Sequence, residues 1–271
     1  MYMNDPNIDE KKGYIYCKWE FMKDTWCVQF GNVYSYVLIG EEKALVIDTA
    51  YGVGDLRKFI EEQITTKPVV VANTHGHFDH TGGNAFWEDA YMSEISTQDC
   101  KKVMGPEAEK AFQAMPHPDY ATHVLKEGDV IDLGGRKVEV IEIGAHHDGS
   151  LAYLDHQTRT LYTGDELEAG QVIIFKGTRK EIELHLANMK KLQSRKAEFD
   201  YLCPAHNGTP IVPEYIDDFV KLDEGILDGT AKVMPHTAGN GMQPDFGMFG
   251  PNVATRVQYG RASICHFGLK D

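Results

Sequence analysis

The chain has 271 residues, 42% hydrophobic, 10% aromatic and 25% charged, an ordinary globular composition with ample length for a sizeable core. Its 41 acidic against 27 basic side chains leave a formal charge of -14, a field that repels phosphate backbones and anionic bilayers, so neither nucleic acid nor membrane is an expected partner. No apolar stretch approaches the roughly 20 residues that span a bilayer, and Met1-Tyr2-Met3-Asn4-Asp5-Pro6 lacks the basic-then-apolar pattern of a leader. The expectation is a soluble cytoplasmic protein that acts on a small molecule, with homo-oligomerisation left open. The cysteines (Cys17, Cys27, Cys100, Cys203 and Cys265) are odd in number and widely spaced, with no Cys-x-x-Cys pair. That pattern argues against a disulfide framework or a thiolate zinc knuckle.

In chain order, Thr25 to Phe30, Val33 to Ile39 and Ala44 to Ile47 read as strands, the first two joined by the hairpin signal Gly31-Asn32. Val53 to Ile64 carries Leu56, Phe59, Ile60 and Ile64 at helical spacing. The apolar run Pro68 to Ala72 reads as a buried strand, and a helix-prone stretch covers about Thr97 to Met115, ending near Pro116 and Pro118. Further strands follow at Asp129 to Leu133, Lys137 to Ile143, Ser150 to Leu154 and Thr160 to Thr163. Glu181 to Lys196 is an amphipathic helix with Ile182, Leu186, Met189 and Leu192 on one face. Tyr201 to Pro204 reads as a short strand and Pro213 to Leu227 as a helix. The segment 228–254, rich in Gly, Pro and Met, reads as a long irregular loop before a final strand at Thr255 to Phe267. This order predicts an α/β fold over residues 14–271 as a single domain. In it, two mixed sheets pack against each other with helices outside.

The segment Thr74-His75-Gly76-His77-Phe78-Asp79-His80 places three imidazoles and a carboxylate in six consecutive positions at the end of a predicted strand. Such donors suit a borderline or hard divalent ion. His75 and His77 lie two apart on an extended segment and so can reach one ion. Asp79 and His80 project differently, which suits a second ion nearby. Further candidate ligands stand just after predicted strands: His146 in Gly144-Ala145-His146-His147, Asp165 in Thr163-Gly164-Asp165, and His206 in Pro204-Ala205-His206. His117, His123, His156, His185, His236 and His266 have no ligand spacing and read as surface or core residues.

From about Val33 to Gly208, with Asp48 at the end of the third strand, these motifs resemble the metallo-β-lactamase-fold superfamily, in its order and with fitting spacings. The resemblance implies an αββα sandwich and a metal-dependent hydrolase. It implies His75, His77 and His146 on one ion, Asp79, His80 and His206 on the other, and Asp165 bridging the two. Asp48 matches a carboxylate that orients a ligand without binding metal. His147 departs from the small or hydroxyl residue usual beside the third histidine, and could support a ligand, contact substrate or act as a spare ligand. The implied cofactors are two divalent ions, zinc by default, with iron or manganese permitted by the carboxylates. A hydroxide between the ions is the implied nucleophile, with Asp79 accepting or relaying the proton.

Within the superfamily, members with di-iron and flavin carry a glutamate where this chain has His77. True β-lactamases lack the aspartate corresponding to Asp165. A nuclease would need a basic exosite, and the basic cluster of a glyoxalase II is not evident in Lys221, Lys232, Arg256 and Arg261. The expectation that remains is hydrolysis of a small ester, thioester or lactone beneath an apolar cover drawn from Met234, Met242, Phe246, Met248 and Phe249. The alternatives are phosphodiester hydrolysis or a metal-containing binding or sensing protein with little turnover.

Overall fold

Runs of β-branched and aromatic residues alternate with short turns along most of the chain. In the computed structural model, which describes residues 15–101, 119–234, 255–267 and 269, those runs become strands. The first sheet holds β1 (Cys17–Met22), β2 (Thr25–Phe30), β3 (Val33–Ile39), β4 (Ala44–Ile47), β5 (Val69–Ala72), β6 (Asp89–Met92) and β7 (Ala121–Val124), in spatial order. It is antiparallel from β1 to β4 and parallel from β4 to β7. The crossover between β4 and β5 is α1 (Leu56–Gln63), whose start is fixed by the Asp55 carboxylate accepting the Lys58 N–H. Two short helices, α2 (Phe78–Thr81) and α3 (Glu94–Asp99), follow β5 and β6.

The second sheet contains β8 (Val130–Asp132), β9 (Lys137–Glu142), β10 (Leu151–Asp155) and β11 (Thr160–Gly164). Beyond β12 (Val172–Ile174) and α4 (Arg179–Ser194), β13 (Tyr201–Pro204) returns to lie parallel to β11. Next comes α5 (Tyr215–Asp228), which stops at Gly229, whose φ of 80° is the left-handed turn glycine adopts freely. The strands β14 (Lys232–Val233), β15 (Thr255–Tyr259) and β16 (Ala262–His266) join β12 in a smaller third sheet, ordered β12-β16-β15-β14.

Alternation along each strand builds the layers. Leu45 and Ile47 meet Val138, Val140, Leu151 and Tyr153 between the two large sheets, while Ala44 and Val46 turn outward to Leu56, Phe59 and Ile60 of α1. On the far side Ala152 and Leu154 pack with Ile182, Met189 and Leu192 of α4 and Ile216 and Phe219 of α5. The result is an αββα sandwich of two mixed sheets with helices outside, as expected from the order of elements. Charged groups lie inside it as well. Arg136 is 1% exposed, its guanidinium pairing with Asp155 Oδ2 at 2.6 Å and donating to the Asp24 and Ile39 carbonyls and to Thr25 Oγ1. It ties the start of β9 to the first sheet.

Several elements differ from the expectation. The strands β1, β6, β7 and β12 are additional to those expected; β12 is a short apolar run, Val-Ile-Ile, whereas β7, Ala-Thr-His-Val, is largely exposed at the sheet edge. The stretch Thr255 to Phe267 is a hairpin rather than one strand, because Gly260, at φ 54°, turns the chain between β15 and β16. Both belong to a third sheet not anticipated from the sequence. Of the helix expected from Thr97 to Met115, the described part is α3, which begins earlier, where Ser93 Oγ accepts the Ser96 N–H. Residues 102–118 lie outside the described residues, as do His117, His236 and all of the 228–254 loop beyond Met234. Among the described residues, no helix is long and apolar enough to cross a membrane.

Candidate metal centre

Strand ends deliver the candidate ligands to one edge of the sandwich. Val69–Ala72 is a parallel strand between β4 and β6, so the chain leaves it at the edge where β4 also ends. His75 and His77 lie on that exit, and the single turn of α2 turns Asp79 and His80 back toward them. That turn packs tightly on the segment after β4: a Cβ on Gly82 would stand 2.4 Å from the Tyr51 carbonyl carbon. Asp165 follows β11 at Gly164, which has φ 54° and where a Cβ would fall 2.7 Å from the Thr74 side chain. Only glycine lets these two segments approach so closely. His146 follows β9 and His206 follows β13.

Two groups of donor atoms result. His75 Nε2 and His146 Nε2 stand 2.9 and 3.0 Å from His77 Nδ1. Asp79, His80 and His206 form a second triad, and Asp165 lies between: Oδ1 is 3.4 Å from both His80 Nε2 and His206 Nε2, and Oδ2 is 3.6 Å from His146 Nε2. Asp79 Oδ2 stands 3.5 Å from His206 Nε2 and 3.7 Å from His80 Nε2.

The hydrogen-bond network assigns the tautomers. His146 Nδ1 donates to the Ile173 carbonyl and His206 Nδ1 to the Asn32 carbonyl, both at 2.8 Å. Asp48 serves two more rings: Oδ2 accepts from His80 Nδ1 at 2.9 Å and from Thr74 Oγ1 at 2.8 Å, and the Thr74 hydroxyl accepts from His75 Nδ1 at 3.1 Å. Oδ1 accepts the Thr74 N–H. Asp48 holds this position at φ 61°, an unfavourable region for a non-glycine residue that its three side-chain contacts offset. Every Nδ1 so engaged leaves its Nε2 lone pair facing inward, the pattern of histidines prepared for a metal.

His147 differs. Its Nδ1 accepts the Gly149 N–H at 3.0 Å and its Nε2 donates to Asp99 Oδ2 at 2.9 Å. Its ring lies edge-on to that of His77 and tilted against that of His75, but it has no lone pair left for an ion. It anchors the turn that follows His146.

Charge divides the site. Burial pushes His75 and His77 down, His77 to about 3, and the neighbouring imidazoles push the same way. Burial also opposes protonation of His80 and His206, but Asp165 and Asp79 outweigh it and raise both, His206 to about 10. For Asp79 and Asp165 burial favours the neutral acid, yet the histidines outweigh it, holding Asp79 at about 2 and Asp165 well below the usual carboxylate range. His75 and His77 are thus neutral nitrogen donors; the other triad, with its shared aspartate, draws positive charge, for which protons and divalent cations compete. His80 Nε2 and Asp165 Oδ1 are both buried without a hydrogen-bond partner. Such orphaned atoms, 3.4 Å apart and facing one another, fit a cation between them.

Some neighbours of the site carried no signal in the sequence. Phe175, after β12, sets its ring 5.2 Å from His146 and 5.7 Å from His77, and stacks on Phe267 at 6.1 Å and 11°. On the opposite flank Tyr51 packs against Phe78 and donates to Asn32 Oδ1. Burial, with Asp79 and Asp165 nearby, raises the Tyr51 hydroxyl, which stays a phenol. Glu168 is pushed up to about 8 by burial and accepts from Asn207 Nδ2, beside His206. Periodicity cannot mark these residues, because they lie in loops after β4, β11 and β12 and meet the site only in the folded chain.

Comparison with known proteins places the chain in a family. Residues 28–227 match the Metallo-beta-lactamase superfamily. Human acyl-coenzyme A thioesterase MBLAC2 is 26% identical over 165 residues, covering 51% of this chain and 59% of its own length. The hydroxyacylglutathione hydrolase of Gloeobacter violaceus is 27% identical over 164 residues, covering 58% and 59%. The chain therefore spans about three fifths of the length of these relatives. In structure, a metallo-beta-lactamase from Pontibacter korlensis superposes with a TM-score of 0.57 at 18% identity, over 77% of this chain and 99% of that one.

Proposed function

The chain belongs to the metallo-β-lactamase superfamily, and from that premise we propose that it is a binuclear metal-dependent hydrolase of thioesters or esters with an apolar acyl group. The observation that carries this reading is Asp165, which stands between a three-histidine group and an Asp-His-His group. His75, His77 and His146 would hold one ion and Asp79, His80 and His206 the other, with zinc as the default and iron or manganese as alternatives. Two such ions supply a Lewis acid for the carbonyl oxygen and lower the pKa of the attacking water.

The side chains do the rest. Asp48 and the Ile173 and Asn32 carbonyls keep four imidazoles aimed inward, so little reorganisation is needed at the moment of reaction. Asp79, whose side chain is 19% exposed against 13% for Asp165 and none for His80, is the carboxylate best placed to pass a proton to bulk water at Oδ2. Phe175, 36% exposed and edge-on to His77 and His146, offers an apolar wall to an acyl group. Two relatives are named for acting on acyl conjugates of coenzyme A and glutathione, which favours thioesters for this chain as well.

The test is a panel of acetyl and phenylacetyl thioesters, a lactone and bis-p-nitrophenyl phosphate. Thioester cleavage is expected to vanish with chelator and return with zinc. Faster phosphodiester cleavage would favour a phosphodiester hydrolase, and two bound ions with no turnover would favour a binding protein. Within that panel, Phe175→Ala is expected to raise KM for the phenylacetyl thioester about 5- to 20-fold, the loss of about 1–2 kcal/mol of ring contact. Acetyl thioester kinetics and both kcat values should stay near the parent's, because the ring adds binding that ground and transition states share. An equal loss on both substrates would contradict an acyl-binding wall.

A further inference from the structure

His146 and Asp165 arrive from different strands, on loops with few regular backbone hydrogen bonds between them. Their spacing nevertheless has to be fixed within a few tenths of an ångström for both to serve one cation. Glu166, the residue after Asp165, is completely buried. Its Oε1 accepts the N–H of Ala145 at 2.9 Å and the N–H of His147 at 3.2 Å, the two residues that flank His146. Converging backbone N–H groups of this kind form a small anion-binding concavity. The same residue is gripped through its backbone: His185 Nε2 donates to the Glu166 carbonyl at 2.9 Å, and His185 Nδ1 donates to Asp223 Oδ2 on α5 at 2.8 Å. His185 and Asp223 are both fully buried, and from α4 Asn188 Nδ2 donates to the Gly144 carbonyl at 3.1 Å. Burial alone would push the His185 imidazole down, but Asp223 and Glu166 outweigh it and hold it up to about 9.

We propose that Glu166 is a positioning residue for the metal centre, clamping the His146 loop to the Asp165 turn so that both ligands are in register before an ion arrives. This rests on the binuclear reading above. The side chain touches no donor atom of the centre, so its influence runs through backbone placement alone. A residue that merely stabilised the fold would lower Tm and leave the metal affinity of the folded protein unchanged. A positioning residue changes that affinity.

The experiment measures zinc affinity by chelator competition, and the visible spectrum of the cobalt-substituted protein, in the parent, Glu166→Ala and Glu166→Gln, with folding checked by circular dichroism. Glu166→Ala removes the acceptor of both N–H groups and is expected to weaken one of two bound ions about 10- to 100-fold, with an altered cobalt spectrum. Glu166→Gln keeps one acceptor oxygen in place. It is expected to bind within about threefold of the parent, well inside that range. If Glu166→Ala does not fold, Glu166→Asp carries the test: it keeps the charge, shortens the reach by about 1.5 Å, and is expected to weaken one ion about 10-fold. Parent affinity in folded Glu166→Ala or Glu166→Asp, or a loss in Glu166→Gln as large as in Glu166→Ala, would overturn the proposal. A parent that holds two ions while the variants match it overturns this proposal alone, whereas a parent that holds none overturns the binuclear reading and the proposal together.

Discussion

Replacing Asp165 by Asn is expected to lower kcat/KM for the preferred thioester by about 10³- to 10⁵-fold, a loss of about 4–7 kcal/mol of transition-state stabilisation. Asp165 lies within 3.6 Å of donors from both triads, Oδ1 facing His80 and His206 and Oδ2 facing His146. Asn exchanges one oxygen for an amide nitrogen that presents hydrogens and offers no lone pair to a cation. It also removes the negative charge that most strongly favours positive charge on His80 and His206. Metal analysis of the variant is expected to show about one equivalent lost while folding is kept, since no strand or core contact depends on that oxygen. Two retained equivalents and parental kinetics would remove Asp165 from its bridging role.

The largest effect on stability is expected at Arg136. Its guanidinium is buried against Asp155, two backbone carbonyls and Thr25. Arg136→Ala leaves the buried Asp155 carboxylate without its countercharge, which is expected to cost about 3–5 kcal/mol. For a domain of this size that is a fall in Tm of roughly 6–20 °C. The combined change Arg136→Met with Asp155→Leu should recover part of the loss, because it removes the stranded charge. Below the transition, the metal content of both variants should equal the parent's, since Arg136 lies in the inter-sheet layer and contacts no ligand. A single Arg136→Ala variant with unchanged Tm would mean that the pair contributes no net stability.

The difference between these two positions reflects what a sequence can carry. The centre was legible because its chemistry is local: His75 to His80 crowd into one loop, and His146, Asp165 and His206 each follow a short apolar run. Asp48 was legible for the same reason, at the end of a strand of four buried residues. The supporting contacts were not. Glu166 reaches Ala145 across 21 residues, and His185 reaches Asp223 across 38. His185 and Arg136 look like surface residues of an amphipathic helix and a turn until two layers close over them. The edge strand β7 and the hairpin of β15 and β16 were hidden for a related reason. An exposed edge needs little hydrophobic patterning, and a third sheet exists only through pairing of distant segments. For His147, residue type left three roles open (supporting a ligand, contacting substrate or acting as a spare ligand), and its bonds to Asp99 and Gly149 engage both nitrogens and leave none for an ion.

The central claim, that seven His and Asp side chains hold two cations for hydrolysis, is tested most directly by stepwise zinc titration of metal-stripped protein with thioester turnover followed in parallel. Two equivalents should bind, with activity reaching its plateau only as the second site fills. Full turnover in excess chelator, or saturation of activity with no ion bound, would contradict the account.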